Sequence, residues 1–219
     1  MTSEVSTKNV TFELRLTQAQ DIDSIIDLCG EVYPGMYSWG PQQLGSQLEI
    51  FPEGQFVVLA KNLAGTADQL VGMASSVIID YSQYNGLSKW SELTDWGYLG
   101  NHDPEDGQTL YGVEIMVHPS YQGQGIGKLI YAKREEFARA LKLKNIRAGA
   151  RISGFHLHAH QMTAAEYLQK VIRGELSDPT LSFQLKRGFK AIGLTPRYFH
   201  DPQSLNYAAV IEWMNPDLA

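Results

Sequence analysis

The 219-residue chain has little cysteine, and Cys29 is its only thiol. A single cysteine excludes an intramolecular disulfide and a zinc site built mainly from cysteines. The chain also lacks a run of about 18 apolar residues, which a membrane-spanning helix needs. Its first residues contain no basic segment followed by an apolar stretch, so we predict no secretory leader. These absences favour a cytoplasmic protein.

Positive charge is also scarce. The chain holds 18 Lys and Arg residues against 24 Asp and Glu residues, which gives a net charge of −6 and a pI near 5.5. A negative surface disfavours sequence-independent binding of nucleic acid or of an anionic membrane. Hydrophobic residues make up 43% and charged residues 19% of the chain, which is typical of a globular protein. We therefore expect a folded protein that binds neither nucleic acid nor membrane.

Hydrophobic periodicity predicts a single mixed α/β domain, and two polar insertions interrupt the pattern. Outside them the expected order is strand, helix, helix, three strands, helix, strand, helix and two strands. Consecutive strands without an intervening helix favour a mixed α+β sheet over a regular doubly wound one. Strands are predicted for residues 12–16, 55–61, 70–79, 110–117, 145–151, 189–193 and 207–214. Helices are predicted for residues 42–50, 126–143 and 179–187, and another begins at a capping box that Thr17 opens with Gln20.

The two insertions cover about residues 81–109 and 152–178. The first is polar, acidic and aromatic. The second contains a capping box from Thr163 to Glu166, which predicts a helix with one apolar face formed by Tyr167, Leu168, Val171 and Ile172. Residues 1–10 show no pattern and are predicted to be a flexible tail, so the domain is expected to cover residues 11–219.

The most informative segment is a glycine-rich turn between a predicted strand and a predicted helix, with the sequence QGQGIGK at residues 122–128. Glycines let the backbone approach a ligand closely, and the N–H groups of the first helical turn then point at an anion. We therefore expect a phosphate-bearing ligand. The dinucleotide fingerprint does not fit, because Lys128 stands where its third glycine would be. The P-loop does not fit either, because Gln122 and Leu129 occupy its required positions.

The pattern Gln-Gly-x-Gly-Ile-Gly, after a strand that ends Val117-His118-Pro119, resembles the signature of the GNAT superfamily of acyl-CoA-dependent N-acetyltransferases. The resemblance extends over about residues 12–214 and implies a GNAT-like acyl-CoA-binding fold. Residues 178–189 also resemble GNAT-type domains that are attached to nitrilase-like hydrolases. The alternative is an ordinary glycine-rich turn, but a bare turn has no need of three alternating glycines.

The resemblance implies acetyl-CoA as the acyl donor and no metal. Backbone groups of Ile115, Met116 and Val117 are implied to pair with the pantetheine arm. The turn is implied to hold the pyrophosphate through Gln122, Gly123, Gln124, Gly125, Ile126, Gly127 and Lys128. An independent charge count supports this placement, because residues 128–144 contain six basic residues against two acidic ones.

Acetyl transfer to an amine requires a neutral nucleophile. A lysine-like amine with a pKa near 10.4 is neutral in only about one molecule in 2,500 at pH 7. Glu114 is the predicted base, because GNAT enzymes often carry a carboxylate on this strand. The alternative is that Glu114 has a structural role or holds the substrate amine.

The departing thiolate also needs a proton. The resemblance places a tyrosine four residues before the Gly188-Phe189 pair, but Gln184 stands there, and an amide is not a general acid. Tyr111 and Tyr198 are the predicted substitutes. The alternative is unaided departure, which a thiol pKa of about 8.5 permits.

Two further groups of residues can be interpreted either as functional sites or as ordinary surface residues. His156, His158 and His160 would share one face of a strand and could bind a metal, but solvent-facing or cleft-lining histidines are the favoured interpretation. Trp90, Trp96 and Tyr98 lie among acidic residues and could form a substrate wall for a cationic amine. The alternative is a solvated flap.

We therefore expect an enzyme that moves an acetyl group from acetyl-CoA to a primary amine by direct attack through a tetrahedral intermediate. The acceptor is expected to be a small molecule or a peptide and to be cationic. A non-catalytic acyl-CoA-binding sensor is the alternative, and a longer acyl donor is a variant of the enzyme hypothesis. The family resemblance also allows a homodimer.

Overall fold

The computed structural model describes residues 10–36, 38–62 and 68–218. Within these ranges seven strands form: β1 (Val10–Leu16), β2 (Gln55–Asn62), β3 (Gln69–Ile79), β4 (Thr109–Val117), β5 (Asn145–Arg151), β6 (Lys190–Thr195) and β7 (Ala208–Met214). The α-helices of the same ranges are α1 (Ile22–Val32), α2 (Pro41–Ile50), α3 (Trp90–Leu93), α4 (Ile126–Ala140), α5 (Ala164–Ile172) and α6 (Leu181–Lys186).

All seven strands belong to one mixed sheet with the order β1-β2-β3-β4-β5-β7-β6. The β1–β2, β2–β3, β5–β7 and β6–β7 pairs are antiparallel, whereas β4 and β5 are parallel. The parallel ladder joins Thr109–Gly112 of β4 to residues 145–148 of β5. The second half of β4 continues beyond the last pair of this ladder. The predicted mixed α/β fold is therefore confirmed.

The chain divides into two compact units. The first contains the described residues up to Ser75 together with Glu114–Ile130, and the second contains Ser76–Val113 and residues 131–218. In the first unit, apolar side chains of β2, β3 and α4 form a buried cluster of Phe56, Val58, Ala60, Val71, Ala74, Ile126 and Ile130. In the second unit, the buried side chains include Leu110, Ile146, Tyr167 and Ile211. Each unit therefore has apolar side chains shielded from water.

Several predicted element boundaries are wrong. The cap at Thr17 is not used, because the Asp21 carboxylate accepts the N–H of Gln18 at 2.8 Å and is itself held by Arg15 at 2.7 Å. An ionised carboxylate is a stronger acceptor than a hydroxyl or an amide. The long helix α4 ends at Ala140 rather than near residue 143, since Lys142 adopts a positive φ of 54°.

The two predicted insertions contain mainly short helical turns. The first holds α3 and two single-turn helices at Tyr81–Gln83 and Asp95–Gly97. In the second, Thr163 caps α5 by accepting the Glu166 N–H at 3.2 Å, as its capping box predicts. Three of the four residues predicted to form the apolar face of α5 are buried. Ile172 is 41% exposed, so the prediction that it belongs to the buried face is wrong.

Two predictions concern residues that the structure does not describe. The flexible tail falls on residues 1–9, which lie outside the described ranges, while Val10 already begins β1. Residues 63–67, between the predicted strands at 55–61 and 70–79, also lie outside the described ranges, and the two strands pair with each other as β2 and β3. Among the described residues, no helix has the length and apolar character that crossing a membrane requires.

Asp178 fixes the start of α6 in the second unit. Its carboxylate accepts the N–H groups of Thr180 at 2.9 Å and Leu181 at 2.8 Å through one oxygen. The other oxygen accepts the Gly154 N–H and the Tyr167 hydroxyl, both at 2.9 Å. The regular part of α6 begins at Leu181, two residues after the predicted start at Pro179, but Asp178 accepts the N–H groups of Thr180 and Leu181 as the N-cap of a helix that begins at Pro179 would do.

We predict that Asp178→Ala lowers the free energy of unfolding by about 3 kcal/mol, because three buried donors and one partly buried donor lose their acceptor. The matched control is Asp217→Ala, which removes an exposed carboxylate paired with Arg139 at 2.8 Å and should cost about 1 kcal/mol or less. Urea unfolding measures the free energy of unfolding of the wild type and of both variants. Equal losses in the two variants would contradict the structural role of Asp178.

Candidate functional site: the glycine turn and its neighbours

The glycine turn begins where β4 ends. After Val117, residues Pro119–Tyr121 form a single helical turn that the Nδ1 atom of His118 caps by accepting the Ser120 N–H at 3.2 Å. Two glutamine amides then tie the turn to its own backbone. Gln122 donates to the carbonyl of Val117 at 3.3 Å, and Gln124 donates to the carbonyl of Ser120 at 3.1 Å.

Two glycines of the turn have backbone conformations that favour glycine over other residues. Gly123 has a φ of 75° and Gly125 a φ of 93°, a region that costs an L-residue about 1–2 kcal/mol. A Cβ atom at either position would meet nothing within 4 Å. Packing therefore does not require these glycines. The backbone conformation requires them, and the open space above them would let a ligand approach the main chain.

The start of α4 presents N–H groups toward this space. The N–H of Leu129 donates to the carbonyl of Gly125 at 3.0 Å, which is the first hydrogen bond of the helix. The N–H groups of Ile126, Gly127 and Lys128 precede it, so they have no acceptor within the helix. Such groups, together with the helix dipole, bind anions. The exposed Lys128 adds a positive charge.

Apolar packing fixes the direction of these N–H groups. Ile126 and Ile130 lie on the buried face of α4 and belong to the core cluster of the first unit. A Cβ atom at Gly72 of β3 would come within 3.0 Å of Ile126, so helix and strand are in close contact. Tyr121 packs edge-on against Phe12, with a centroid distance of 6.2 Å. The turn is therefore anchored on both sides, and Tyr121 is a packing residue.

Glu114 lies in the second half of β4, in the same unit as the turn. Its Oε1 atom accepts the hydroxyl of Tyr33 at 3.0 Å and the N–H of Ile115 at 2.9 Å. Tyr33 immediately follows α1. Its backbone N–H donates to the backbone carbonyl of Cys29 at 2.8 Å, which is the last hydrogen bond of that helix. The carboxylate is half-buried and held in one orientation by two donors. Sequence reasoning missed Tyr33, because 81 residues separate it from Glu114 and no local pattern links them.

The two tyrosines that the sequence predicts as acids lie together in the second unit. The hydroxyls of Tyr111 and Tyr198 share a short hydrogen bond, and the side chains are 1% and 4% exposed. Burial, followed by the neighbouring Tyr198, raises the pKa of Tyr111 well above its ordinary value of 10. Tyr198 lies directly over Gly149, where an added Cβ would come within 2.1 Å of its ring. The proposed acid role of this pair stays a prediction.

Gln184, at the position where the family resemblance implies a tyrosine, faces another tyrosine. Its Nε2 atom donates to the hydroxyl of Tyr131 on α4 at 2.8 Å. The ring of Tyr131 packs edge-on against Phe189 at 5.3 Å and against Phe183 at 5.8 Å. Sequence reasoning did not single out Tyr131, although its position four residues after Gly127 on the same helix places both on one face.

The histidines do not have the arrangement that a strand would give them. Residues 155–157 form a single helical turn instead. The Nδ1 atom of His156 lies 2.9 Å from the carbonyl of Ser153, and His158 packs on the ring of Tyr167 at 5.4 Å. Alternate residues therefore do not share one face here. No group of three or more metal-binding side chains occurs among the residues that the structure describes.

The aromatic residues of the first insertion have different environments. Trp90 is partly buried and donates its indole N–H to the carbonyl of Val113 at 3.0 Å. Trp96 and Tyr98 are 68% and 42% exposed. Asp95 and Trp96 both adopt positive φ angles, of 48° and 56°. The exposed rings of Trp96 and Tyr98 therefore lie at a turn with a strained backbone, whereas Trp90 is a packing residue.

Comparison with known proteins identifies the family. Residues 22–162 match the model of the acetyltransferase (GNAT) family. The chain is 42% identical over 205 residues to the probable hydrolase YhcX of Bacillus subtilis, covering 93% of this chain and 39% of that protein. It is also 33% identical over 199 residues to the uncharacterized N-acetyltransferase YkwB of the same organism, covering 89% of this chain and 85% of that protein. The chain therefore belongs to the GNAT family.

Solved structures have the same fold. The loading GNATL domain of CurA from Lyngbya majuscula superposes with a TM-score of 0.77 at 20% identity, covering 94% of this chain and 99% of that one. The structure of yncA from Salmonella typhimurium with its cofactor acetyl-CoA has a TM-score of 0.53 at 14% identity, covering 94% of this chain and 95% of that one. The predicted GNAT-like fold and membership of the acetyltransferase (GNAT) family are confirmed. The match to a probable hydrolase agrees with the second resemblance found in the sequence, and the chain spans 39% of that relative.

We predict that Gly125→Ala lowers the free energy of unfolding by about 1–2 kcal/mol through its backbone conformation alone, since space for a Cβ is present. Gly30→Ala in α1 is the control, because its Cβ also meets nothing within 4 Å but its φ is not positive. That substitution should leave stability unchanged or raise it by up to about 1 kcal/mol. A loss of the same size in both variants, measured by urea unfolding, would contradict this account of the turn.

Proposed function

We propose that the protein transfers an acetyl group from acetyl-CoA to a primary amine. The observation that carries this proposal is the turn at Gly123 and Gly125, where both glycines have a positive φ and open space around them. The turn is followed by three N–H groups at the start of α4 that have no acceptor within the helix. A pyrophosphate fits such a site, because its oxygens need several donors and its charge favours a helix N-terminus. Membership of the acetyltransferase family supports acetyl-CoA as the phosphate-bearing ligand.

We assign the pantetheine arm to the second half of β4. The ladder to β5 ends at Gly112, whereas β4 continues to Val117. Backbone groups of Ile115 and Val117 would therefore bind the amides of pantetheine as an added strand does. Met116 between them is fully buried and fixes the strand in the core. Gln122 to Lys128 would then receive the pyrophosphate at the end of the same strand.

Glu114 is proposed to accept the proton of the attacking amine, directly or through water. Its Oε1 atom is already held by Tyr33 and Ile115, so the carboxylate has a fixed orientation when the substrate arrives. The amine nitrogen attacks the thioester carbonyl carbon, a C–N bond forms, and the tetrahedral intermediate expels the sulfur. Tyr111 and Tyr198 remain the sequence-based candidates for the proton that the sulfur needs.

We predict that Glu114→Gln lowers kcat by about 100-fold, the usual contribution of a general base. Folding and CoA affinity should be unchanged, because the amide oxygen can still accept from Tyr33 and Ile115. Steady-state kinetics with saturating acetyl-CoA measure the effect. A variant that keeps wild-type kcat would show that Glu114 is structural.

The acceptor is proposed to be cationic. The first insertion is rich in carboxylates and displays two exposed aromatic rings, Trp96 and Tyr98. A cation is attracted both to the carboxylates and to the faces of aromatic rings. The acidic residues concerned are Glu92, Asp95, Asp103, Glu105 and Asp106.

A panel of primary amines tests the charge preference. We expect diamines and amino-acid amides to have a kcat/KM at least about 10-fold above that of neutral or acidic amines, which corresponds to about 1.4 kcal/mol. Trp96→Ala should reduce this preference, while Leu87→Ala, an exposed control in the same insertion, should not. A clear preference for acidic amines would refute the proposal.

A non-catalytic acyl-CoA sensor is the second candidate function, and Gln184 in place of a tyrosine is the observation that favours it. Turnover separates the two, because both would bind CoA but only the enzyme releases thiol when an amine is added. Calorimetric titration of acetyl-CoA is therefore combined with a thiol-release assay. A series of acyl-CoA donors of increasing chain length decides whether acetyl is the preferred group.

We predict that Gly125→Trp abolishes binding of acetyl-CoA in calorimetry. Gly174→Trp is the matched control, because Gly174 also has a positive φ, 74°, with open space around it, and should retain wild-type affinity. Binding without thiol release on any amine would favour the sensor. No binding by the wild type would refute the proposed function.

A further inference from the structure

The second unit contains a cavity of about 420 Å³ at the residues where β4 and β5 begin. Sites for small ligands usually have a volume of about 300–1,000 Å³. The lining comes from the turn after β3, from the segment before β4 and from the start of β5. All of these residues belong to the second unit. The cavity therefore includes neither Glu114 nor the glycine turn.

Part of the lining is held in place by hydrogen bonds and an ion pair. The guanidinium group of Arg147 lies over the ring of Tyr81, 4.2 Å from its centroid, and its Nη2 atom pairs with Glu212 at 2.7 Å. Asn145 donates to the same Oε1 atom of Glu212 at 2.8 Å and accepts the hydroxyl of Thr109 at 2.7 Å. These side chains are therefore ordered before a ligand arrives.

The segment that carries Asp106 has a fixed backbone as well. The N–H of Asp103 donates to the carbonyl of Ile78 at 2.9 Å, and the N–H of Gly107 donates to the carbonyl of Asp103 at 3.1 Å. A Cβ atom at Gly107 would clash with that carbonyl oxygen. The N–H of Asp106 donates to the Asp103 carboxylate at 2.9 Å. The Asp106 side chain thus extends from an ordered loop.

Two charged groups of the lining have no partner within the protein. Among the residues that the structure describes, the carboxylate of Asp106 and the ammonium group of Lys144 take part in no hydrogen bond or ion pair. The backbone of Lys144 is fixed on both sides, because its N–H donates to Gln108 at 2.9 Å and its carbonyl accepts the N–H of Asn215 at 3.0 Å. One negative and one positive group are therefore available to a ligand.

Asp80 supplies a second negative charge to the cavity. Its carboxylate accepts the N–H and the hydroxyl of Ser82 at 3.0 and 2.7 Å and the amide of Gln83 at 3.1 Å. These hydrogen bonds, that of the Ser82 hydroxyl first, lower the pKa of Asp80 below its ordinary value. A carboxylate has about four acceptor positions, so the ionised group can accept one more donor.

We propose that this cavity binds a basic α-amino acid such as L-arginine. Lys144 binds the carboxylate of the ligand, Asp106 binds its α-ammonium group, and Asp80 binds its side-chain cation. The three side chains carry two negative charges and one positive charge, and the ligand carries the complementary set. Charge-assisted hydrogen bonds of this kind are about twice as strong as neutral ones. The inference goes beyond the proposed acetyl transfer and does not depend on it.

The three charges discriminate between classes of ligand. A polyamine has no carboxylate for Lys144 and would place a cation beside its ammonium group. An acidic amino acid would place its second carboxylate beside Asp80, where like charges repel. A neutral amino acid satisfies Lys144 and Asp106 but offers no cation to Asp80. Only the basic amino acid satisfies all three side chains.

Calorimetric titration of the whole chain with L-arginine, without acetyl-CoA, tests the proposal. We expect one saturable site with a Kd of about 1 mM, which is usual for a ligand of about twelve non-hydrogen atoms. L-leucine, L-glutamate and agmatine, which is arginine without its carboxylate, should each bind at least about 10-fold more weakly, because each loses one charge-assisted contact. Agmatine that binds as tightly as L-arginine would overturn the proposal in favour of a simple cation site.

Substitutions at Asp106 locate the ligand. Asp106→Asn should weaken the binding of L-arginine by about 10-fold. The matched control is Glu105→Gln, which neutralises the adjacent exposed carboxylate outside the lining and should change the Kd by less than about 2-fold. Equal weakening in the two variants would overturn the proposal, because the effect would then be a general attraction to negative charge.

Substitutions at Lys144 and Asp80 test the assignment of the ligand's groups. Lys144→Met should reduce the affinity for L-arginine to that for agmatine, whereas Lys186→Met, an exposed control outside the lining, should not. Asp80→Asn should remove the preference for L-arginine over L-leucine, because its amide oxygen still accepts the Ser82 N–H but carries no charge.

The remaining outcomes decide between this cavity and another place on the protein. L-arginine that binds with wild-type affinity to both Asp106→Asn and Lys144→Met would overturn the proposal, because the ligand would then occupy a different site, such as that of an acceptor amine. No saturable binding to the wild type at up to about 20 mM would overturn it as well. Neither result bears on acetyl transfer, because the titrations contain no acetyl-CoA and the substituted residues lie outside the proposed catalytic site.

Discussion

The burial of Ile126 and Ile130 in the core of the first unit is the interaction on which the candidate site depends. These side chains fix the direction of α4, and the helix in turn fixes the N–H groups that follow Gly125. Without that anchor, two positive-φ glycines would form a flexible loop, since glycine loses more entropy on ordering than any other residue. Apolar packing on one face of the helix therefore supplies the order that polar groups at its end need for binding an anion.

Much of the fold could be predicted, because each element carries a local signal. The predicted strand at residues 145–151 coincides with β5, and the capping box at Thr163 forms as expected. Boundaries were wrong where a residue outside the local pattern decided them. Asp21 moved the start of the first helix through its ion pair with Arg15, and the positive φ of Lys142 follows the earlier end of α4.

The candidate site was predictable only where its chemistry lies in one segment. The glycine turn could be found because its residues are consecutive and its conformation depends on residue type. The partners of the predicted chemical groups could not be found, since Tyr33 and Glu114, or Tyr131 and Gln184, are brought together only by the fold. The histidines illustrate the opposite error, because their alternation indicates a strand only where the backbone is extended, and residues 155–157 instead form a helical turn.

The sequence separation of these pairs has a consequence for how the protein acquires its site. Tyr33 and Glu114 are 81 residues apart, and Tyr111 and Tyr198 are 87 residues apart. Contacts between such distant residues form only after the loop-closure entropy of the intervening chain has been overcome, which makes them slow to form. The glycine turn, by contrast, is built from neighbouring residues. A nascent chain would therefore complete the segment that is proposed to hold phosphate before it assembles the groups that are proposed to move protons.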